Sequence, residues 1–387
     1  MENFKMIAKT FFGFEEILAT ELKNLGAQNV EVGIRMVSFV GDKGFMYKAN
    51  LSLRTALKIL KPIYHFKANN EQALYKGISS MNWAKFLHAN QTFVIDTTVH
   101  SEYFNHSEFV SQKCKDAIVD QFRERTGQRP SIDKSFPDLR INIHIAKDQV
   151  SVALDTSGQS LHQRGYRTAT NIAPINEVLA AGILLLSGWN GQSDFLDPMC
   201  GSGTFLAEAA MIACQIPANI NRKEFAFEKW KDWDNDLFDE IMASLLKKTK
   251  EFNYKIVGYD KAPSAVLKAK ENIKNTNLDG YITVENTNFF ETEKTTNAPL
   301  HIVFNPPYDE RLDIHMEEFY KQIGNTLKKN YPSTNAWFIT GNLDALKHVG
   351  LKPSRKIKLF NASIESRLVK YEMYSGSKRT KFQEQNI

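Results

Sequence analysis

Cysteine is scarce in this 387-residue chain: Cys114, Cys200 and Cys214 stand too far apart for a CxxC metal or redox pair, and their odd number is no disulfide framework. A reducing compartment follows. Long apolar runs are also missing, since no stretch approaches the roughly 18 residues of a membrane span. The N-terminal MENFKMIAKTFFGFEEILATEL carries acidic residues inside its apolar pattern. A cytoplasmic protein without membrane contact is therefore expected. Neither sign of charge dominates: 49 basic residues against 44 acidic ones give a net charge of +5, which permits an anionic partner without demanding one. His100 and His106 have no carboxylate or cysteine framework around them, so they read as surface histidines and no metal is expected. Finally, no glycine loop ends in the Lys-Ser/Thr of a P-loop, and no third glycine completes a dinucleotide fingerprint.

What is present is enough apolar material, 42% with 11% aromatic, for two or three packed domains. The first 62 residues read as strand (FKMIAKT), helix (GFEEILATELKNLG, with Ile17, Leu18, Leu22 and Leu25 at helical spacing and Gly26 as the stop), then strand (VEVGIRMVSFVG). A second helical pattern, GFMYKANLSLRTALKILKPI, ends before Pro62. This is a small α+β layer. Residues 63–165 add strands at QTFVID and VSVAL around a long amphipathic helix, SEFVSQKCKDAIVDQFRER, with aromatics and positive charge interleaved. The basic, turn-like HQRGYR marks a seam near residue 165.

From Pro174 an apolar helix runs through Leu186, and the order then becomes β/α: SDFLD, GTFLAEAAMIACQ, KIVGYD, APSAVLKAKENIKN, ITVEN, HIVFNPPY and FYKQIGNTLKKN. That alternation predicts a doubly wound parallel sheet over residues 166–387. Within it, DPMCGSGTF places Gly201 and Gly203 between a strand and a helix, where the backbone can turn tightly and the helix offers unpaired amides. GYD then sets Asp260 at the tip of the next strand, where a carboxylate can accept from ribose hydroxyls. Asp197 would repel a pyrophosphate, so the ligand should combine ribose with positive charge. S-adenosylmethionine has both. Its pocket is expected to use Asp197, Pro198, Gly201, Gly203, Thr204 and Asp260. About sixty residues separate loop and Asp260 where roughly twenty are usual. The aromatic, helix-patterned IPANINRKEFAFEKWKDWDNDLFDEIMASLLKKTKEFN therefore reads as an insertion. Cys200 sits inside the loop with no base to activate it, and reads as a small apolar filler.

Next to such a pocket, the NPPY of FNPPYDERL acquires a chemistry. An exocyclic amine on a nucleobase is a poor nucleophile until its lone pair is turned toward the methyl group. The side-chain oxygen of Asn305 and the carbonyl of Pro306 can both accept from that amine, Pro307 stiffens the turn, and Tyr308 offers a face for stacking. Positioning carries most of such catalysis. The base must be unpaired or flipped out to reach it.

DPMCGSG, GYD and NPPYDERL in this order resemble the amino-group methyltransferases that use S-adenosylmethionine. With HQRGYR…APINEVLAAG and FAFEKW added, the chain is similar to the THUMP-domain guanine-N2 methyltransferases of bacterial 23S ribosomal RNA. The resemblance implies an α/β protein: a ferredoxin-like segment (1–62), a THUMP RNA-binding domain (63–165) and a Rossmann-like methyltransferase domain (166–387). It implies 23S rRNA as partner. The basic and aromatic content of the first 160 residues, with Arg164 and Arg167 at the junction, points to phosphate contacts there, and a monomer is expected. Two positions depart from the pattern. Asn288 stands where related enzymes often place an acidic residue against the adenine amine, and Asp309 replaces a usual glycine. A tRNA guanine-N2 enzyme, a DNA adenine-N6 enzyme and an inactive RNA-binding assembly factor are the alternatives.

Overall fold

The computed structural model describes residues 2–170, 174–307 and 315–374. They form two compact units: Met1–Thr10, Leu18–Leu161 and Arg222–Ser244 make the first, and Phe11–Ile17, His162–Asn221 and Leu245–Ile387 the second.

The first unit is built on one eight-stranded sheet. In chain order its strands are β1 (Phe4–Lys9), β2 (Gln28–Gly33), β3 (Met36–Gly41), β4 (Lys58–Lys67), β5 (Thr92–His100), β6 (Ser131–Ile132), β7 (Leu139–Ala146) and β8 (Gln149–Asp155). They lie side by side as β2-β3-β1-β4-β8-β7-β5-β6. The helices are α1 (Glu15–Leu25), α2 (Lys43–Ser52), α3 (Glu71–Ser79) and α4 (Ser107–Thr126). Strict alternation of burial along β7 shows one face on the core and one outward.

Three expectations change here. VEVGIRMVSFVG is a hairpin, not one strand: Gly33 pairs with Met36, and Arg35 turns the chain with φ of 55°. The helical pattern expected up to Pro62 stops at Ser52, and β4 runs straight through Pro62. The proline is tolerated because the ladder breaks register between Pro62 and Tyr64. One strand thus crosses the expected 62/63 boundary, pairing with β1 at one end and β8 along its length. Third, part of the insertion belongs to this unit. Its rings form a cluster in which Phe227 lies 5.2 Å from Phe225, 5.6 Å from Trp233 and 4.7 Å from Tyr47 of α2.

The second unit contains α5 (Glu177–Leu186), β9 (Asp194–Asp197), α6 (Thr204–Ala213), β10 (Ile256–Asp260), α8 (Pro263–Lys274), β11 (Ile282–Asn286), β12 (Leu300–Phe304), α9 (Met316–Asn330), β13 (Asn335–Thr340), β14 (Arg355–Asn361) and β15 (Ile364–Glu372). Between α6 and α8, α7 (Asn235–Leu246) closes the insertion. The sheet runs β11-β10-β9-β12-β13-β15-β14. Its first five strands are parallel, as the β/α alternation predicts. The sheet is not wholly parallel, however: β15 enters antiparallel to β13 and pairs with β14 as a hairpin. After β9 the chain moves to one side for β10 and β11 and to the other for β12 and β13. The reversal opens a crevice at the carboxyl ends of β9 and β12, where doubly wound sheets bind ligands.

Candidate active site

The loop after β9 enters this crevice. Gly201 and Gly203 take left-handed φ values of 55° and 82°, which glycine adopts without steric cost. At Gly203 a side chain would also press within 3.2 Å of Ala269 on α8, so glycine lets the two helices approach. Gly203 caps α6 without any side-chain hydrogen bond, which leaves first-turn amides to be satisfied from outside the helix.

Two carboxylates stand beside the loop. Asp260 ends β10 and accepts from the amides of Gly201 at 3.0 Å and Ala262 at 2.9 Å, so it ties loop to strand. Asp197 is 1% exposed and accepts from the Met199 amide at 3.1 Å. Burial pushes its carboxyl well above the usual carboxylate range, and the charge of Asp260 adds to the push. Among the described residues no Lys or Arg pairs with either carboxylate. A cationic ligand would relieve that. Pro198 is buried, and the Cys200 thiol is raised well above its ordinary value, chiefly by burial, which disfavours a thiolate. Asn288 follows β11 as the cap of a short 3-10 turn. Its side-chain oxygen accepts from the Phe290 amide at 3.2 Å and its amide donates to Glu291 at 2.9 Å, so both ends are engaged within the turn.

Across the reversal, Asn305 follows the last residue of β12. Its Oδ1 is buried and accepts no hydrogen bond among the described residues. A buried amide oxygen without a donor costs about 1–3 kcal/mol, so an acceptor left open at a strand end calls for a ligand donor. Pro306 is buried and Pro307 half-buried. Tyr308 lies outside the described residues.

The junction arginines are engaged inside the second unit. Arg164 has no exposed surface; its guanidinium meets Glu208 at 3.3 Å and Asn219 at 2.9 Å, and the Tyr166 hydroxyl donates to the same Glu208 at 3.0 Å. Arg167 donates to the Ile175 carbonyl at 2.7 Å and to Thr204 Oγ1 at 2.8 Å, beside Glu177 at 3.2 Å. Burial lifts the Glu177 carboxyl to about 7 against the opposing pull of Arg167. Arg164, Tyr166 and Arg167 therefore form an inward-facing brace, and the Thr204 hydroxyl expected at the donor is held by Arg167. Sequence reasoning missed Asn272, 1% exposed on α8. Its oxygen accepts from the amides of Thr168 and Ala169 at 2.9 and 3.1 Å, while its nitrogen donates to the carbonyls of Ala169 and Ser202 at 2.7 and 3.0 Å. Nothing in KENIKN distinguishes it from a solvent-facing polar residue. Among the described residues no group of His, Cys, Asp or Glu could hold a metal ion, and no helix is long and apolar enough to cross a membrane.

Three family models match the chain in sequence order: the RlmL ferredoxin-like domain over residues 5–60, the THUMP domain over 68–155 and the RMKL-like methyltransferase domain over 164–370. A chain of Synechocystis sp., named as a candidate RNA methyltransferase, is 35% identical over 365 residues, covering 94% of this chain and 95% of that one. The ribosomal RNA large subunit methyltransferase K/L of Syntrophotalea carbinolica is 34% identical over 95% of this chain and 53% of that protein. This chain spans about half the length of the K/L relatives it matches. A solved structure of a candidate methyltransferase complexed with SAH has a TM-score of 0.86 at 29% identity, covering 97% of this chain and 100% of that one.

Proposed function

The chain belongs to the family of RMKL-like methyltransferase domains with ferredoxin-like and THUMP modules in front, and we propose that it methylates the exocyclic N2 amine of a guanine in 23S ribosomal RNA. The observation that carries this reading is the buried Oδ1 of Asn305 at the carboxyl end of β12, which accepts no hydrogen bond among the described residues. S-adenosylmethionine supplies the electrophilic methyl on a sulfonium. The residues present fit it: two carboxyl groups that no Lys or Arg pairs with among the described residues suit its positive groups, Asp260 keeps acceptor capacity for ribose, and the uncapped start of α6 offers amides. The names of the K/L relatives and the SAH complex of the solved relative support the same donor and substrate.

Asn305 and the Pro306 carbonyl accept from the two N–H groups of the amine and turn its lone pair out of the ring plane. Pro307 keeps that geometry stiff, Tyr308 stacks on the base, and Asp197, Pro198, Gly201, Gly203 and Asp260 hold the donor. Asn288 serves the adenine end with the turn it caps. No strong base is required beforehand, because the amine becomes acidic as it is alkylated, so orientation supplies the rate. The first unit, with its THUMP match, grips the RNA. Transfer of labelled methyl to unmodified 23S rRNA, with tRNA and DNA in parallel and nucleoside analysis of each, tests this: N2-methylguanosine in the rRNA arm is expected. Another modified nucleoside, or label in tRNA or DNA alone, overturns the substrate.

A further inference from the structure

On the first unit a small cavity of about 40 Å³ opens among residues 135–140, 157–159 and 222–229, three stretches far apart in the sequence. That is below the size of an ordinary small-ligand pocket, so a larger group can engage only its rim. Its walls are fixed in advance. Arg222 donates to the carbonyls of Ser157, Gln159 and Ser160 at 3.3, 2.9 and 3.0 Å, and its guanidinium lies over the ring of Phe225 at 5.2 Å. Gly158, with φ of 80°, lets the two segments meet, since a side chain there would come within 3.3 Å of the Ala226 amide. The aromatic cluster around Phe227 anchors the third wall behind them.

At the lip stands Phe136, 68% exposed although it lines the cavity. Its turn is rigid, because Asp133 Oδ1 accepts from the amides of Ser135 and Phe136 at 2.8 and 3.0 Å. A ring held out by such a turn contributes nothing to the core and presents a flat apolar face to whatever arrives. The charged lining is Arg140, Arg222 and Lys229 against Glu224. Arg140 leans on Asp96 at 3.0 Å, which also receives Lys58 at 3.5 Å, and Lys58 is fixed by the buried Asp155 at 2.7 Å. Lys229 is only loosely engaged, 3.9 Å from Glu224 and 3.5 Å from the Pro137 carbonyl. The excess is positive, and its least committed member lies beside the exposed ring.

We infer that the rim of this cavity seats one unpaired nucleotide of the RNA substrate, with the base on Phe136 and the phosphate against Lys229 and Arg140. The inference rests on reading the first unit as the RNA-binding part. An aromatic platform beside a cation is the arrangement by which single strands are held without reading their sequence. A free nucleotide shares that chemistry. The strand is favoured because the ring stands at the rim, where a base of a passing chain can reach it, and not inside the cavity.

Anisotropy titrations of the full chain with an unpaired 23S rRNA fragment, over a series of salt concentrations, test this. Phe136→Ala is expected to weaken RNA binding on the order of tenfold, with Phe136→Trp near the parent. Lys229→Ala should reduce the slope of log affinity against log salt by about one. Leu267→Ala, equally exposed on α8, should change nothing. Donor affinity by calorimetry should be the same in all four, which also shows that they are folded. If the parent binds RNA while Phe136→Ala and Lys229→Ala bind it equally well, the rim is not the nucleotide site, although the RNA reading stands. A parent that binds no RNA at any salt overturns both. Saturation of the rim by guanosine monophosphate that leaves RNA binding untouched overturns the strand in favour of a small ligand.

Discussion

The two sides of the crevice in the second unit differ in how completely they are satisfied. On the β10 side the glycine loop is tied down residue by residue: Met199 to Asp197, Cys200 to the Tyr259 carbonyl, Gly201 to Asp260, and the Ser202 carbonyl to Asn272. On the β12 side the Asn305 oxygen is buried and accepts no hydrogen bond among the described residues. A site that binds its donor in a fixed cradle and then captures an amine would be divided in this way, with one half preorganised by the fold and the other completed by the substrate. Loss of a group on the open side should therefore cost rate alone, whereas loss on the satisfied side should cost stability or donor affinity.

Asn305→Ala is the strongest test of that division. Removing the only side-chain acceptor proposed for the amine should lower kcat by about a thousandfold, or roughly 4 kcal/mol, as when one positioned hydrogen-bonding group is lost from a reacting centre. The melting temperature and the calorimetric affinity for S-adenosylmethionine should stay at parent values. A variant that melts lower, or loses donor affinity in step with rate, would make Asn305 part of the fixed half.

Arg164→Ala should do the reverse. It leaves Glu208 buried without its guanidinium partner, so a loss of roughly 3 kcal/mol in unfolding free energy is expected from denaturant titration. The salt dependence of RNA binding should not move, because no surface of Arg164 reaches solvent. An unchanged denaturation midpoint with a shallower salt slope would restore the phosphate-contact role expected from the basic junction. Between these extremes lies Asp260→Ala, which removes both the loop anchor and the proposed ribose acceptor. Donor affinity should fall by about 2 kcal/mol, near thirtyfold. Calorimetry at the parent value would take Asp260 out of the pocket.

The same division explains what the sequence could and could not reveal. The alternation of short apolar strands with helices is a local pattern, and it located β9 to β13 and the crevice they form. GSG and NPPY were legible because each imposes a backbone geometry that few residue types allow. The brace was not. Arg164, Arg167 and Asn272 are polar residues in polar stretches, and only the packing of α6 and α8 turns them inward. HQRGYR has the composition of a phosphate contact, yet its Arg164 and Tyr166 have the burial of a core. The insertion misled for a related reason: its aromatic content announced a packing face, but nothing local said that the partner would be Tyr47, about 180 residues earlier. β4 was hidden by Pro62, whose usual exclusion from strands is lifted by a bulge that only the pairing with β8 creates.

The smallest effect expected comes from Thr204, which sits between the two descriptions. Its position at the start of α6 suggests a donor contact, yet its oxygen accepts from Arg167 at 2.8 Å and it is 4% exposed. Thr204→Val keeps the shape and removes the acceptor. If the hydroxyl serves the brace, one buried guanidinium hydrogen bond is lost and unfolding free energy should drop by about 1 kcal/mol. Donor affinity should hold, because the first-turn amides that face the crevice are backbone groups the substitution leaves in place. If the hydroxyl serves the donor, the order inverts: calorimetry would show weaker binding while denaturation stays near the parent. Thr204→Ser separates the two further, since it keeps the acceptor for Arg167 and should recover most of the lost stability. A serine variant as unstable as the valine one would mean that the methyl group, packed in the buried first turn, carries the effect instead of the hydrogen bond.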